Sequence, residues 1–235
     1  MSVTSATRTA VVTGGSAGVG LALARRLVAD GVDVTICGRD KARLAQVEGV
    51  RTVVADLSTE AGARAVADAA PDRIDLLFNN AGVQLLNNWT IEPTADLLAD
   101  IDGEVGLNLL GPMRLTAMLL PRLSKSAVIV NVTSGLGLVP KRAAPGYCAT
   151  KAGLSAFSTS LRYQLAPRRV VEAMLPLVDT AMTAGRGTGK ISADAAAQAI
   201  LSGLHRDVIR IGATRKLAAL HRLAPGLAAR IIRDK

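Results

Sequence analysis

Aromatic side chains are scarce in this 235-residue chain: Phe, Tyr and Trp together make up 2%. Proteins that hold single-stranded nucleic acid stack bases on aromatic rings, and few such platforms exist here, so no nucleic-acid partner is expected despite a formal charge of +9. Cysteine is almost as rare. Cys37 and Cys148 offer neither a disulfide framework nor metal-ligand spacing, which suits a reducing cytosol and predicts a cytoplasmic protein. His205 and His221 stand alone, so no metal site is expected. Long apolar runs are missing too. Thr9–Thr13 is too short for a signal segment or a membrane span, and Met1–Arg8 is short and polar, so no targeting signal is expected.

What is present is a large apolar fraction, 49%, enough for one substantial core. No repeat or linker divides the chain, which reads as a single domain over 1–235. The positive charge is uneven. Residues 205–235 hold eight Lys or Arg against Asp207 and Asp234. Within that segment Leu217, Leu220, Leu223, Ala224, Leu227, Ala228, Ile231 and Ile232 recur at helical spacing, broken by Pro225-Gly226. Residues 213–235 therefore read as a basic amphipathic tail, packing on its own domain or on a second subunit in preference to a membrane surface.

Short apolar runs alternate with helical patterns along the chain: Thr9–Thr13, Val32–Ile36, Arg51–Ala55, Ile74–Phe78, Ala127–Val132, Val170–Leu175 and Val208–Ile211. That interval predicts an α/β fold, a Rossmann-type doubly wound parallel sheet flanked by helices, with ligands at the carboxyl ends of the strands. The first run enters Gly14-Gly15-Ser16-Ala17-Gly18-Val19-Gly20 and then a helix over Leu21–Ala29. Glycines in that context let backbone N–H groups approach a pyrophosphate. The second run ends in Cys37-Gly38-Arg39-Asp40, with no carboxylate at Gly38 to meet a ribose 2′-hydroxyl and with Arg39 placed to accept a 2′-phosphate. This predicts NADP(H) in preference to NAD(H). Asp40 reads as a helix N-cap, Ser58 or Thr59 as another, and Ser192 as a third. Asp56 reads either as an adenine contact or as a turn aspartate. Glu104–Leu123 reads as one long helix carrying Asn108 a turn before Pro112, where a kink could hold a polar group or water. Residues 181–191, with Gly185, Gly187 and Gly189, read as a flexible lid-type connection.

The chemistry centres on Tyr147 and Lys151, four apart on a helix and so on one face, with Ser134 upstream. A neighbouring cation favours a phenolate, which would bring the phenol toward neutrality as an acid or base.

Taken jointly, Thr13-Gly14-x3-Gly18-x-Gly20, Asp56, Asn79-Asn80-Ala81-Gly82, Asn108, Ser134, Tyr147-x3-Lys151 and Pro176-x-x-Val178-x-Thr180 resemble the short-chain dehydrogenase/reductase family over about residues 8–212. The resemblance implies an oxidoreductase that moves a hydride between a carbon and a nicotinamide. It implies Tyr147 as general acid or base, with Lys151 lowering its pKa and holding the nicotinamide ribose. Ser134 would hydrogen-bond the substrate oxygen, and Asn108 would hold a water that relays protons to Lys151. Gly14, Ser16, Gly18, Val19, Gly20, Arg39, Asp56, Leu57, Asn80, Ala81, Gly82, Val178 and Thr180 would line the cofactor site. It also implies a homodimer or homotetramer through Glu104–Leu123 and Tyr147–Gln164.

Three features depart from the family pattern: Leu177 stands where Gly usually follows the Pro, Ala17 where many NADP-preferring members have a basic residue, and the lid is short. Leu85, Leu136, Leu138, Val139 and Met182 flank the expected pocket and supply no charged anchor, which points to a small or medium apolar carbonyl or alcohol. The alternative is a catalytically silent NADP(H)-binding scaffold.

Overall fold

The computed structural model describes residues 7–90 and 94–234. The reading of the N-terminus rests mainly on residues 1–6, which lie outside the described residues, as do residues 91–93 and 235. In chain order the strands are β1 (Thr9–Thr13), β2 (Asp33–Gly38), β3 (Val50–Val54), β4 (Ile74–Asn79), β5 (Leu123–Ser134), β6 (Arg169–Leu175), β7 (Val178–Asp179), β8 (Ile191–Ser192) and β9 (Val208–Arg210). The helices are α1 (Gly18–Ala29), α2 (Lys41–Leu44), α3 (Glu60–Ala69), α4 (Ala95–Val105), α5 (Gly111–Leu119), α6 (Gly135–Leu138), α7 (Pro145–Leu165), α8 (Ala193–Ser202), α9 (Ala213–Leu223) and α10 (Pro225–Ile232).

Seven strands form one parallel sheet in the order β3-β2-β1-β4-β5-β6-β9. Successive side chains of a strand face opposite ways, and both faces here are covered. Along β4, Leu76 and Phe78 join the core beneath α1 and α8, whereas Ile74 and Leu77 join the core beneath α3 and α5. This is why the strands read as unbroken apolar runs. The chain winds outward from β1 to β3, then returns to the other side of β1 with β4. The crevice between the carboxyl ends of β1 and β4 is where such sheets take ligands.

Helix starts follow the expected caps. The carboxylate of Asp40 accepts from Arg43 N at 3.0 Å, the hydroxyl of Thr59 from Gly62 N at 3.0 Å, and the hydroxyl of Ser192 from Ala195 N at 3.0 Å. Of Ser58 and Thr59, the two residues proposed to cap α3, Thr59 does so.

Two boundaries differ from expectation. The long helix begins at Ala95, passes through a π-helical turn at Gly106–Leu110 into α5, and ends in a 3₁₀ turn at Leu120–Arg122; Leu123 already belongs to β5. Pro112 has no N–H to give to the carbonyl of Asn108, and its ring crowds that carbonyl, so the helix widens there. The fifth strand is longer than Ala127–Val132 because polar Ser124, Lys125 and Ser126, the last two exposed, hide its start. The 181–191 connection is tied down at its base, where Val178 and Asp179 pair with Ile191 and Ser192.

Replacing Thr59 by Ala should lower unfolding stability by about 1 kcal/mol, read from the urea midpoint, and Thr59→Ser should restore most of it. An unchanged midpoint would show that this cap contributes nothing.

Candidate active site

The glycine turn between β1 and α1 is held in shape by contacts that exclude side chains. A Cβ at Gly20 would sit 2.2 Å from the carbonyl oxygen of Gly14, and one at Gly15 would sit 2.5 Å from Cβ of Ile36. Gly14 and Gly18 have φ of +67° and +53°. Ala17 precedes α1 and has no side-chain oxygen to cap it, so the first-turn N–H groups have no side-chain acceptor at the cap. Thr13 ties this turn to the end of β4: its hydroxyl accepts from Asn80 N and Ala81 N, both at 2.9 Å, and Asn80 Nδ2 donates to Thr13 O at 2.9 Å.

The turn opens into a cleft of about 1020 Å³. Gly14, Ser16, Gly18, Val19, Arg39 and Leu57 line one end of it, and Asn80, Ala81, Gly82, Val178 and Thr180 line its middle. Ser134, Tyr147 and Lys151 line it as well. Three of the expected residues do not. Gly20 acts by close packing. Asp56 takes the turn role, its carboxylate accepting from Ser58 N at 3.0 Å and Ser58 Oγ at 2.8 Å. Asn108 is fully buried, and its side chain clamps the segment after β4: it accepts from Val83 N at 2.8 Å and donates to Val83 O at 2.8 Å and to Thr150 Oγ1 at 3.2 Å. With these bonds made, the side-chain amide is committed to the backbone and to α7.

Helix α7 places the reactive groups. One face presents Tyr147, Lys151, Ser155 and Ser158 to the sheet, the spacing of a helical stripe. Ser155 donates to buried Glu172 at 3.0 Å, and Asn131 Nδ2 donates to Ser158 at 2.9 Å, so the helix is pinned to β5 and β6 by polar bonds. Ser134 closes β5 and caps α6 by accepting from Leu136 N at 3.1 Å. Lys151 is 4% exposed; its ammonium donates to Val132 O at 2.9 Å and lies 5.7 Å from the centre of the Tyr147 ring.

The electrostatics correct one expectation. The Tyr147 phenol is pushed up to about 12, not lowered. Part of its ring surface opens on the cleft, but the surrounding protein desolvates the hydroxyl. The neighbouring Ser134 hydroxyl pulls the other way, and the nearby Cys148 and Glu104 add to the rise. Lys151 is pulled down to about 8 because burial disfavours its charge, with Glu104 partly offsetting this.

Glu104 is a residue the sequence did not single out. It is 3% exposed, accepts from Leu85 N at 2.9 Å, and its other oxygen would lie 2.4 Å from any Cβ at Gly146. Burial raises its own pKa. A carboxylate beside the glycine that opens α7 has no linear motif to betray it.

The remaining walls also differ from expectation. Leu136 and Met182 line the cleft, whereas Leu85, Leu138 and Val139 do not. Lys141, Arg186 and Lys216 line it, so charged anchors are present after all. Arg186 reaches from the lid to Gln84 Oε1 at 3.0 Å. Leu217 and Leu220 of α9 and Ile231 and Ile232 of α10 form a wall. A Cβ at Gly187 would meet Leu177 at 2.6 Å, so the side chain at the first departure from the family pattern fits beneath a lid glycine.

A family model, short chain dehydrogenase, matches residues 8–190. A protein named uncharacterized oxidoreductase DltE, from Bacillus subtilis, is 41% identical over 185 residues, 74% of this chain and 73% of its own. A short chain dehydrogenase from Burkholderia cenocepacia, solved with NADP, superposes with TM-score 0.86 at 27% identity, covering 96% of this chain and 98% of that one. A short chain dehydrogenase/reductase from Burkholderia phymatum, solved with NAD, gives TM-score 0.80 at 22% identity, covering 92% and 95%. The chain belongs to the short-chain dehydrogenase/reductase family of nicotinamide-dependent oxidoreductases.

Because the folded state lowers the pKa of Lys151 from the ordinary 10.5 to about 8, the unfolded chain holds more protons between those values, and folding stability rises with pH there. Lys151→Met should remove that rise. Comparing the two proteins' denaturant midpoints from pH 8 to 10 should show the wild type gaining on the variant by an amount on the order of 3 kcal/mol at most. Parallel curves would show the ammonium is not desolvated.

Proposed function

We propose that this protein is an NADP(H)-dependent oxidoreductase that reduces a carbonyl, or oxidises the matching alcohol, with Tyr147 as the proton-transferring group. The reading rests on one juxtaposition: Ser134, Tyr147 and Lys151 line the same cleft as the glycine turn. The site suits a dinucleotide on its own chemistry. Gly14 and Gly18 line the cleft with left-handed backbone and no side chain to screen their peptide groups, an uncapped helix start faces the cleft, and Arg39 lines it as a cation suited to a ribose phosphate. When bound, the nicotinamide supplies the hydride chemistry.

The chain's own residues handle the oxygen. Ser134 donates to the substrate oxygen and fixes its place beside the phenol. Tyr147, kept protonated by its surroundings, gives up its proton as negative charge develops on that oxygen. A phenol pushed up to about 12 stays protonated at neutral pH, the form that can donate to a carbonyl oxygen. Lys151 keeps a positive charge close to the site of the departing proton, and Val132 O fixes its position. Asn108 acts structurally, holding the Val83 segment against α7.

Arg39 carries the cofactor preference. Neither its position nor its neighbour Gly38 offers a carboxylate to a 2′-hydroxyl, while Arg43, also in the cleft, is paired with Asp40 at 3.1 Å. The free thiols Cys37 and Cys148 suit the cytoplasm, and among the described residues no helix is long and apolar enough to cross a membrane. Assembly as a homodimer or homotetramer through α5 and α7 completes the reading, with 213–234 serving the substrate end of a single domain.

Tyr147→Phe should lower kcat by roughly 10²–10⁴-fold while NADPH affinity, followed by nucleotide fluorescence, stays within a few-fold. Retained turnover would exclude Tyr147 as the acid, and NADPH binding without any carbonyl turnover in the wild type would favour a silent scaffold. Arg39→Ser should lower kcat/KM for NADPH by roughly 10–100-fold, the loss of a charge-assisted hydrogen bond, and leave that for NADH nearly unchanged. Equal losses with both cofactors would remove Arg39 as the selector.

A further inference from the structure

The cleft has two unlike ends, and the one away from the glycine turn describes a substrate. Its wall is apolar. Leu217 of α9 sits against Gly135, close enough that a Cβ there would be 3.1 Å away, which puts α9 directly over the residue that follows Ser134. Leu136, Leu220, Ile231 and Ile232 extend this surface. The tail helices are fastened in place: Thr214 is buried and donates to Ile211 O at 2.9 Å, Ala228 is fully buried, and Arg142 N donates to Arg233 O at 2.9 Å.

Cations edge this wall. Lys216 precedes Leu217 on α9, and Lys141 precedes the Arg142 that anchors the end of α10, so both lysines border the same surface. Arg186 stands on the lid, joined to Gln84. Among the described residues, neither Lys141 nor Lys216 makes an ion pair, and the one carboxylate lining the cleft, Asp40, lies at the opposite end with Arg39 and Arg43. Glu104 accepts from Leu85 N and faces Gly146, and does not line the cleft. An apolar surface takes up a hydrocarbon chain, and uncompensated cations at its rim attract and orient an anion.

We propose that the substrate is an anionic amphiphile: a carbonyl compound with a hydrocarbon chain against α9 and α10 and a carboxylate or phosphate group held at Lys141 and Lys216. This rests on the carbonyl-reductase reading for the site. It replaces the expectation of a substrate recognised by apolar contacts alone.

The test uses the full chain saturated with NADPH, and calorimetric titration with three ten-carbon probes: decanoate, decyl phosphate and 1-decanol. At least one anion should bind roughly ten-fold more tightly than the alcohol, the upper range for two partly exposed ion pairs. That advantage should shrink as salt rises from about 50 mM to about 500 mM. The Lys141→Gln/Lys216→Gln protein should lose most of it and keep its NADPH affinity. Which anion gains more identifies the group as carboxylate or phosphate. The proposal is overturned if decanol binds as well as both anions, if no probe binds, or if the anionic advantage survives the double substitution or high salt. A matching loss of NADPH affinity in the variant would also overturn it, assigning the lysines to the cofactor. Should the variant fail to fold, the salt dependence of the wild-type preference decides alone. Absence of NADPH binding in the wild type would instead sink the oxidoreductase reading, and is read separately before any probe is added.

Discussion

Lys151 carries its charge into the protein. It is 4% exposed, makes no ion pair among the described residues, and is held by the carbonyl of Val132 and the nearby ring of Tyr147. Burying an ammonium with a single hydrogen bond is unfavourable, and the surrounding architecture exists to hold it there. Asn131 and Glu172 bind two serines of α7 so that the helix cannot roll away. Gly82 leaves room: a Cβ there would come within 3.4 Å of the ammonium and 3.1 Å of Asn108 Oδ1. The ends of β4 and β5, the π-helical turn and α7 therefore converge on one cation. Its pKa, about 8, still leaves it mostly charged at neutral pH.

That constraint accounts for the state of the phenol. Desolvation acts on both members of the pair, and in each it favours the neutral form. The lysine moves down and the tyrosine up, so the simple picture of a cation acidifying its neighbour does not describe this site. Glu104 sharpens the point, since its negative charge supports the ammonium and opposes a phenolate. A site biased in this way keeps its phenol protonated and its lysine mostly charged at neutral pH.

Much of this was legible in the linear chain. Apolar runs at βα intervals gave the sheet, since strands buried on both faces have few polar residues to obscure them. Tyr147 and Lys151 were visible because a helix face is a fixed spacing. Other features had no such signature. Glu104 meets Tyr147 and Lys151 only after the long helix packs against α7, and Glu in a helical pattern reads as solvated. Lys141, Arg186 and Lys216 come from three separate segments, and only the folded chain brings them to one cleft. The start of β5 was hidden because it is polar, half-buried Ser124 followed by exposed Lys125 and Ser126, in a strand whose remainder is largely core. Asp56 offered two roles of equal plausibility, and a choice between them needed the position of Ser58.

Leu177 and Gly187 share one small volume. The leucine side chain occupies the space that a β-carbon ten positions later would need, and the glycine's φ of +56° belongs to the same bend. Any side chain at Gly187 would have to push the tip of Leu177 aside and sit on a backbone bend that L residues rarely adopt, so this part of the cleft wall is shaped by a leucine lying under a bare stretch of main chain.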